Sequence, residues 1–268
     1  MSAPSSPSLA RSPAAPVTAP SVLVTGAAKL LGRTIALALA AKGWRVAVHF
    51  RDSVEDARRT VAECSRLTPG AAAFRCNLGN ETAVRNLLPG VIEKFGQLDA
   101  VVHCASTFEH DDAASFNFAA MEKHMRSNAG AAIVISQALH THIAQRCHTH
   151  PESRGTVVTL LDQKLWNQTP DYVSYTLSKA ALDAANHMLA LALQPLVRVV
   201  GVAPVHTCSS PMLQGEKLSE RHGLPAYLKA TPLDIQTAVL LALQDDSIAG
   251  TTLLVEDDTR SDAPADHG

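Results

Sequence analysis

A tyrosine and a lysine stand four residues apart in the segment Tyr175-Thr176-Leu177-Ser178-Lys179. On a helix, this spacing puts the two outer side chains on one face. A nearby ammonium group stabilises a phenolate, so we expect Lys179 to lower the pKa of the Tyr175 phenol toward working pH. The pair therefore predicts a general acid, Tyr175, that exchanges a proton with a small substrate.

A glycine-rich turn far upstream gives this pair a context. The strand-like run SVLVT is followed by Gly26 and, six residues later, by Gly32. Gly26 permits a tight turn, and Gly32 permits close approach of the next helix, whose free N–H groups attract a pyrophosphate. Ordinary strand-to-helix turns also favour glycine, so it is the position after the first strand of a βα unit that supports a dinucleotide site.

The end of the second strand bears on which dinucleotide binds. An acidic residue there would bond the ribose hydroxyls of NAD. Here the strand ends in His49-Phe50-Arg51, and no Asp or Glu precedes Asp52. Lys29 and Arg51 both have the charge to bind a 2′-phosphate, and Arg has the planar fork that suits it. The sequence therefore favours NADPH over NADH.

These residues need a scaffold in which strands alternate with helices. Short apolar runs predict seven strands, and helical periodicity predicts the segments between them. Such an order implies right-handed crossovers and a parallel sheet covered on both faces. We therefore predict an α/β, Rossmann-type doubly wound fold with a mainly seven-stranded parallel sheet. The strands are expected at 21–25, 45–50, 71–76, 99–105, 156–161, 197–203 and 251–256, and the helices at 30–42, 53–67, 80–95, 118–127, 129–146, 172–194 and 232–244.

Length and composition predict the domain organisation. The chain has 268 residues, of which 46% are hydrophobic and 18% charged, which suits one domain. Residues 1–20 are rich in Ser, Ala and Pro and predict a disordered tail. Residues 21–257 are predicted to form a single Rossmann-fold domain, and residues 258–268 a C-terminal tail. An organelle transit peptide is the weaker alternative for residues 1–20, because one Arg among many prolines makes a poor amphipathic helix.

Charge and cysteine content limit the partners and the compartment. A formal net charge of −2 argues against nucleic acid and membrane surfaces as partners. Five scattered cysteines and the lack of a long apolar run predict a reducing, cytoplasmic location. The alternating histidines at 140–150 do not share a helix face, so no metal site is predicted.

Three features together resemble the short-chain dehydrogenase/reductase family: the turn from Thr25 to Gly32, Asn128, and the Tyr175/Lys179 pair. The likeness runs from about residue 21 to residue 256. It implies a Rossmann-type sheet, a nicotinamide cofactor and a homotetramer. It also implies that Asn128 supports a water-linked proton relay to Lys179.

One departure from the family pattern points to a branch. The family usually carries a Ser thirteen positions before its Tyr, and this chain has Asp162 there. A carboxyl group can deliver a proton to a basic ring nitrogen, often through water. Asp162 and the segment from Ala105 to Phe108 are similar to the pteridine reductases and the bacterial dihydromonapterin reductases. The alternative is that Asp162 is a structural carboxylate bonded to backbone at the strand end.

The resemblance implies roles for individual residues. Ser106 would hydrogen-bond to cofactor and pterin, and Phe108 would stack on the pterin against the nicotinamide. A core aromatic is the weaker alternative for Phe108. The implied catalytic residues are Tyr175, Lys179, Asp162 and Asn128, and the substrate-binding residues are Ser106, Phe108, Asp162 and Tyr175. The residues implied to bind NADPH are Gly26, Lys29, Leu31, Gly32, His49, Phe50, Arg51, Asn77, Leu78, Ala105, Ser106, Tyr175, Lys179, Pro204 and Thr207.

Two other functions remain open. A carbonyl reductase or dehydrogenase of the same family would use Tyr175 in the same way but would not need Asp162 or Phe108. An NADP- or pterin-binding regulatory protein with little turnover would fit three departures from the family pattern, Leu30, Cys104 and Val205. The intact catalytic set argues against such a protein, because a pure binder does not need a proton relay.

Overall fold

Strands and helices alternate through the part of the chain that the computed structural model describes, residues 19–68, 70–204 and 231–255. The strands are β1 (Ser21–Val24), β2 (Arg45–Phe50), β3 (Ala72–Arg75), β4 (Ala100–His103), β5 (Gly155–Leu160), β6 (Val197–Pro204) and β7 (Thr252–Val255). The α-helices are α1 (Leu30–Ala41), α2 (Val54–Leu67), α3 (Glu81–Phe95), α4 (Phe118–His124), α5 (Ala131–Cys147), α6 (Val173–Ala192) and α7 (Pro232–Gln244).

The seven strands form one parallel sheet in the order β3-β2-β1-β4-β5-β6-β7. The strand order reverses between β1 and β4. In open α/β sheets, ligands bind in the crevice at the carboxyl ends of the strands beside such a switch point. The prediction of a Rossmann-type, doubly wound fold is confirmed.

Hydrophobic side chains cover both faces of this sheet. Along β1, Val22 packs into a core with Ile35 of α1, whereas Leu23 packs into the opposite core with Leu88 of α3 and Ile135 of α5. Successive side chains of a strand point to opposite faces, so a strand covered on both faces must be apolar throughout. The continuous apolar runs of the sequence follow from this arrangement.

Most element ends lie within one or two residues of the predicted bounds, and two differences affect the architecture. The helix predicted at 118–127 ends as an α-helix at His124 and continues as a π-helical turn, Met125–Gly130, directly into α5. In the segment predicted as a tail, the carbonyl oxygens of Ala19 and Pro20 accept hydrogen bonds from Arg45, at 3.1 and 2.8 Å. The rest of both predicted tails lies outside the described residues.

The turn between β1 and α1 depends on its two glycines. Gly26 has a φ of +69°, in the left-handed region that favours glycine. A Cβ on Gly32 would lie 2.4 Å from the Gly26 carbonyl oxygen. The start of α1 therefore packs against the turn at a distance that only glycine allows.

We expect Gly32→Ala to lower the free energy of unfolding by about 1–3 kcal/mol, because the added methyl group overlaps backbone atoms. Gly90→Ala is the matched control, since no atom of the described residues lies within 4 Å of a Cβ at this position in α3. The control should be neutral or more stable by up to about 1 kcal/mol. Urea denaturation of both variants measures the difference, and equal stabilities would contradict the close packing at Gly32.

Candidate active site

A cavity of about 980 Å³ opens at the carboxyl edge of the sheet. The turn after β1 and the end of β2 form one part of its lining, and the segments after β4 and β5 together with α6 form the other. It brings together nearly all of the predicted site residues: Gly26, Lys29, Leu31, Gly32, His49, Phe50, Arg51, Asn77, Leu78, Ala105, Ser106, Phe108, Asp162, Tyr175, Lys179 and Pro204. Asn128 is fully buried behind this lining, and Thr207 lies outside the described residues.

The N-terminus of α1 faces the cavity with its first turn open. Among the described residues no acidic side chain lies in that turn, and the Lys29 side chain at the N-cap position makes no cap hydrogen bond. In contrast, Asn80 caps α3 through the Ala83 N–H group. Unsatisfied N–H groups at a helix start form a binding site for an anion.

His49, one of the residues implied to bind NADPH, is hydrogen-bonded to this turn. Its Nδ1 accepts a hydrogen bond from the Gly26 N–H group at 3.0 Å, and its Nε2 pairs with the Cys76 carbonyl oxygen at 3.1 Å. Burial lowers the pKa of the imidazole to about 4, against the small opposing effect of the Cys76 carbonyl. His49 is therefore a neutral link between the phosphate turn and β3, not a cation that meets a phosphate.

Two cations remain beside the turn. Arg51 Nε lies 2.7 Å from an Asp52 carboxylate oxygen, and Lys29 Nζ lies 2.8 Å from an Asp56 carboxylate oxygen. The hydrogen bond from Lys29 is the main cause that lowers the pKa of Asp56. Exposed ion pairs of this kind contribute little stability, so an incoming phosphate can compete for either cation.

The Tyr175 hydroxyl donates a hydrogen bond of 2.8 Å to Oδ2 of Asp162. The Lys179 ammonium group lies 5.7 Å from the centre of the Tyr175 ring and donates to the Leu160 carbonyl oxygen at 2.6 Å. Tyr175 and Lys179 thus share one face of α6, as their spacing predicts. Asp162 reaches them because β5 ends beside that face.

The expectation that Lys179 lowers the pKa of Tyr175 is wrong for this structure. Burial raises the pKa of the phenol well above 10, and the negative charge of Asp162 raises it further. Burial also lowers the pKa of Lys179 to about 8, against the attraction of Asp162. Tyr175 therefore keeps its proton near neutral pH.

Asp162 combines the two roles considered for it. Its Oδ1 accepts a hydrogen bond of 2.9 Å from the Lys164 N–H group, as a structural carboxylate at a strand end would. Its Oδ2 accepts the Tyr175 hydroxyl instead. The backbone bond fixes the carboxylate in the orientation that meets the phenol.

Phe108 lines the cavity next to Tyr175. Its ring lies parallel to that of Tyr172 with the centroids 4.6 Å apart, and it meets the Tyr175 ring edge to face, also at 4.6 Å. The ring is half-buried, not part of the sheet core. An aromatic wall is thus fixed beside the proton donor.

Asn128 holds the segment before Phe108. Its Oδ1 accepts the Thr107 N–H group at 2.7 Å, and its Nδ2 donates to the Thr107 carbonyl oxygen and the Ser178 hydroxyl, both at 2.9 Å. The side chain thus ties the loop after β4 to α6. The water-linked relay to Lys179 stays a prediction.

Sequence reasoning missed several residues that shape the site. Thr25 Oγ1 accepts the N–H groups of Cys104 and Ala105, each at 3.0 Å, and so joins the ends of β1 and β4. Asp111 and His124 bond the loop that carries Phe108, as described below. Their partners are distant in sequence, so no local pattern indicates these contacts.

One histidine of the stretch at 140–150 packs inside the fold. His142 is buried and its Nε2 accepts the Leu98 N–H group at 3.1 Å, so it packs α5 against the sheet. Among the described residues, no group of three or more His, Cys, Asp or Glu side chains is arranged to hold a metal ion. In the same ranges, no helix is both long and apolar enough to cross a bilayer.

Comparison with known proteins relates this cavity to a family. Residues 20–220 match the family model described as short chain dehydrogenase. A ketoacyl reductase of the granaticin polyketide synthase of Streptomyces violaceoruber is 30% identical over 247 residues, covering 89% of this chain and 95% of that protein. Pteridine reductase 1 of Leishmania tarentolae is 30% identical over 220 residues, covering 70% of this chain and 76% of the relative.

A solved structure is similar over most of its length. The crystal structure of FolM alternative dihydrofolate reductase 1 from Brucella suis, in complex with NADP, superposes with a TM-score of 0.77 at 26% identity. The match covers 89% of this chain and 94% of that one.

The buried His49 leads to a prediction about pH. The pKa of His49 is about 4 in the folded protein, against the ordinary value of 6.5 that applies to the unfolded chain. Between these two values the unfolded chain therefore binds a proton that the folded chain does not. Stability should therefore fall as pH falls from about 6.5 to 4, with up to ~3 kcal/mol due to His49. The amide of His49→Gln can make both hydrogen bonds but does not titrate. This variant should therefore take up about one proton fewer on unfolding in this pH range, and its stability should depend less on pH.

Urea denaturation at several pH values between 7.5 and 4.5 measures the effect. His148→Gln, at an exposed position after α5, is the matched control and should keep the wild-type dependence. His103, whose pKa burial lowers to about 3, leaves a residual slope in every variant. Parallel curves for wild type and His49→Gln would show that His49 does not cause the acid sensitivity.

Proposed function

The chain belongs to the short-chain dehydrogenase family, and from this premise we propose that it is an NADPH-dependent reductase of a pteridine or dihydropteridine. The observation that carries the proposal is the 2.8 Å hydrogen bond between Tyr175 and Asp162, made beside the ring of Phe108 in one cavity. A flat heterocycle with basic ring nitrogens needs a stacking surface and a proton source, and these residues supply both.

The cavity has the features that a nicotinamide dinucleotide requires. At Gly26 and Gly32 no side chain covers the backbone of the turn. The first turn of α1 presents N–H groups to the cavity, and Lys29 and Arg51 line the cavity beside it. In our proposal the helix N-terminus binds the pyrophosphate, the two cations bind the 2′-phosphate, and Lys179 holds the nicotinamide ribose. The cofactor, when bound, supplies the hydride.

Tyr175 and Asp162 supply the proton chemistry. Because burial and the neighbouring carboxylate raise its pKa, the Tyr175 phenol keeps its proton until a ring nitrogen of the substrate accepts it. The Asp162 carboxylate accepts the hydrogen bond of the phenol and so fixes the position of the hydroxyl. Lys179, with a pKa of about 8, is still mainly charged near pH 7 and offsets the negative charge that the transfer leaves.

The relatives support this assignment at different levels. A pteridine reductase and an NADP-bound dihydrofolate reductase are both similar to this chain, and both names denote enzymes that reduce pterin rings. The ketoacyl reductase covers more of the chain, and it favours a second candidate, a carbonyl reductase. Asp162 argues against that candidate, because a ketone does not need a carboxylate behind the tyrosine.

NADPH oxidation in the presence of a 7,8-dihydropterin tests the proposal. We expect turnover by the wild type and a loss of at least about 100-fold in kcat for Tyr175→Phe, which keeps the ring and removes the donor. Asp162→Asn should also lower kcat at every pH. Asp171→Asn is the matched control, because this carboxylate lies in the same cavity but pairs with Lys164 at 3.5 Å.

The remaining outcomes separate the candidate functions. Normal turnover by Asp162→Asn across the pH range would exclude its role in proton transfer. Turnover of ketones but not of dihydropterins, lost in Tyr175→Phe, would identify a carbonyl reductase. NADPH binding without turnover of either class would identify a binding protein.

Cofactor choice gives a second test. Arg51→Ala should raise the KM for NADPH about tenfold, because it removes a charged hydrogen bond to the 2′-phosphate, and should leave the KM for NADH almost unchanged. Arg58→Ala is the matched control, since this exposed arginine of α2 pairs with Glu55. An equal rise in the KM values for NADPH and NADH would show that Arg51 does not bind the 2′-phosphate.

A further inference from the structure

The start of α6 is capped by a residue from a distant part of the chain. Tyr172 occupies the N-cap position with a φ of 59°, and tyrosine is not among the residue types that usually cap helices. The carboxylate of Asp111 instead accepts the Ser174 N–H group, with its two oxygens at 3.1 and 3.2 Å, and also accepts the Ser174 hydroxyl. Asp111 is 4% exposed, so these are buried, charge-assisted hydrogen bonds at the positive end of a helix.

The same loop is joined to α6 by backbone contacts. The Tyr172 N–H group donates to the Asp111 carbonyl oxygen at 2.6 Å, and Asp112 and Asp171 pair as an antiparallel bridge. Tyr172 in turn lies against the ring of Phe108. The loop after β4 and the start of α6 therefore meet as one packed unit.

The other side of this loop is held by α4 and the π-helical turn. Asn128 bonds both backbone groups of Thr107, as described above. The Glu109 N–H group donates to His124 Nε2 at 3.2 Å, while the other ring nitrogen of His124 pairs with the Ala120 carbonyl oxygen at 2.8 Å. The loop is thus fixed to the scaffold on one side and to the catalytic helix on the other.

We propose that Asp111 is a positioning residue that sets the place of the Phe108 ring relative to the Tyr175 hydroxyl. Ser174 directly precedes Tyr175, and Phe108 lies three residues before Asp111, so one carboxylate fixes both the stacking surface and the proton donor. Without it, the first turn of α6 loses a buried partner and the loop loses a charged anchor. The kinetic readouts below rest on the proposed reductase function.

Steady-state kinetics of Asp111→Ala with a 7,8-dihydropterin tests the positioning role. We expect kcat/KM for the dihydropterin to fall roughly 10- to 100-fold through both a lower kcat and a higher KM, with the KM for NADPH within about twofold of wild type. A purely structural loss would instead lower kcat in proportion to the folded fraction and leave both KM values unchanged. That result would overturn the proposal.

Three further variants make the comparison specific. Asp112→Ala removes the neighbouring carboxylate, which bonds Ser115 within its own exposed turn, and should behave as wild type. Ser174→Ala removes the hydroxyl and keeps the N–H donor, so its effect should be smaller than that of Asp111→Ala. Asp111→Asn keeps an acceptor for that N–H group and should restore part of the activity. Equal kinetics for Asp111→Ala and Asp112→Ala would overturn the proposal.

Hydrogen exchange provides a readout that needs no substrate. In Asp111→Ala, peptides that cover residues 106–110 and 172–176 should both exchange faster than in wild type, and in Asp112→Ala they should not. Faster exchange in both segments, in a protein that turns over no dihydropterin, would refute the proposed function and support the cap. Unchanged exchange in a protein that does turn over dihydropterin would refute the cap and leave the proposed function standing.

Discussion

Burial of the Tyr175 phenol beside the Asp162 carboxylate determines the chemistry that this cavity can support. Low polarity and a neighbouring negative charge both oppose phenolate formation, so the pKa of Tyr175 rises, and the same burial lowers the pKa of Lys179 to about 8. The site thus presents a firmly held proton on a phenol whose oxygen donates to a carboxylate. Only an atom that becomes strongly basic during a reaction can take this proton.

Three histidines accept hydrogen bonds from backbone N–H groups around this site. His49, His124 and His142 each accept a hydrogen bond from a backbone N–H group, at 3.0, 3.2 and 3.1 Å respectively. A ring nitrogen that accepts a hydrogen bond must lack a proton, so each of these contacts requires an imidazole that is unprotonated at that position. For His49 and His142, burial lowers the imidazole pKa and so favours the unprotonated ring.

The two halves of the cavity are organised in different ways. The cofactor half relies on bare backbone: Gly26 and Gly32 let the turn and α1 approach closely, and the cations beside them are exposed and loosely paired. The substrate half relies on side chains that hold one another, with Asn128 and Asp111 fixing the loop that carries Phe108. Phosphates can be bound by exposed groups that adjust, whereas proton transfer requires fixed distances.

The amino-acid sequence by itself determined the order of strands and helices, because the alternation of apolar runs with helical periodicity reflects burial on two faces of a sheet. It also determined that Tyr175 and Lys179 share a face, since helical geometry depends only on spacing. The turn at Gly26 and the lack of an acid at the end of β2 could be read in the same local way.

Only the tertiary structure decided the charge states and the contacts between segments. The direction of the Tyr175 pKa was predicted wrongly because desolvation depends on everything packed around the phenol, not on the residue four positions away. No sequence pattern showed that burial between the turn and the end of β3 makes His49 neutral. The bond between Asp111 and Ser174 joins positions 63 residues apart, a contact that the folding of the chain creates and no local pattern encodes.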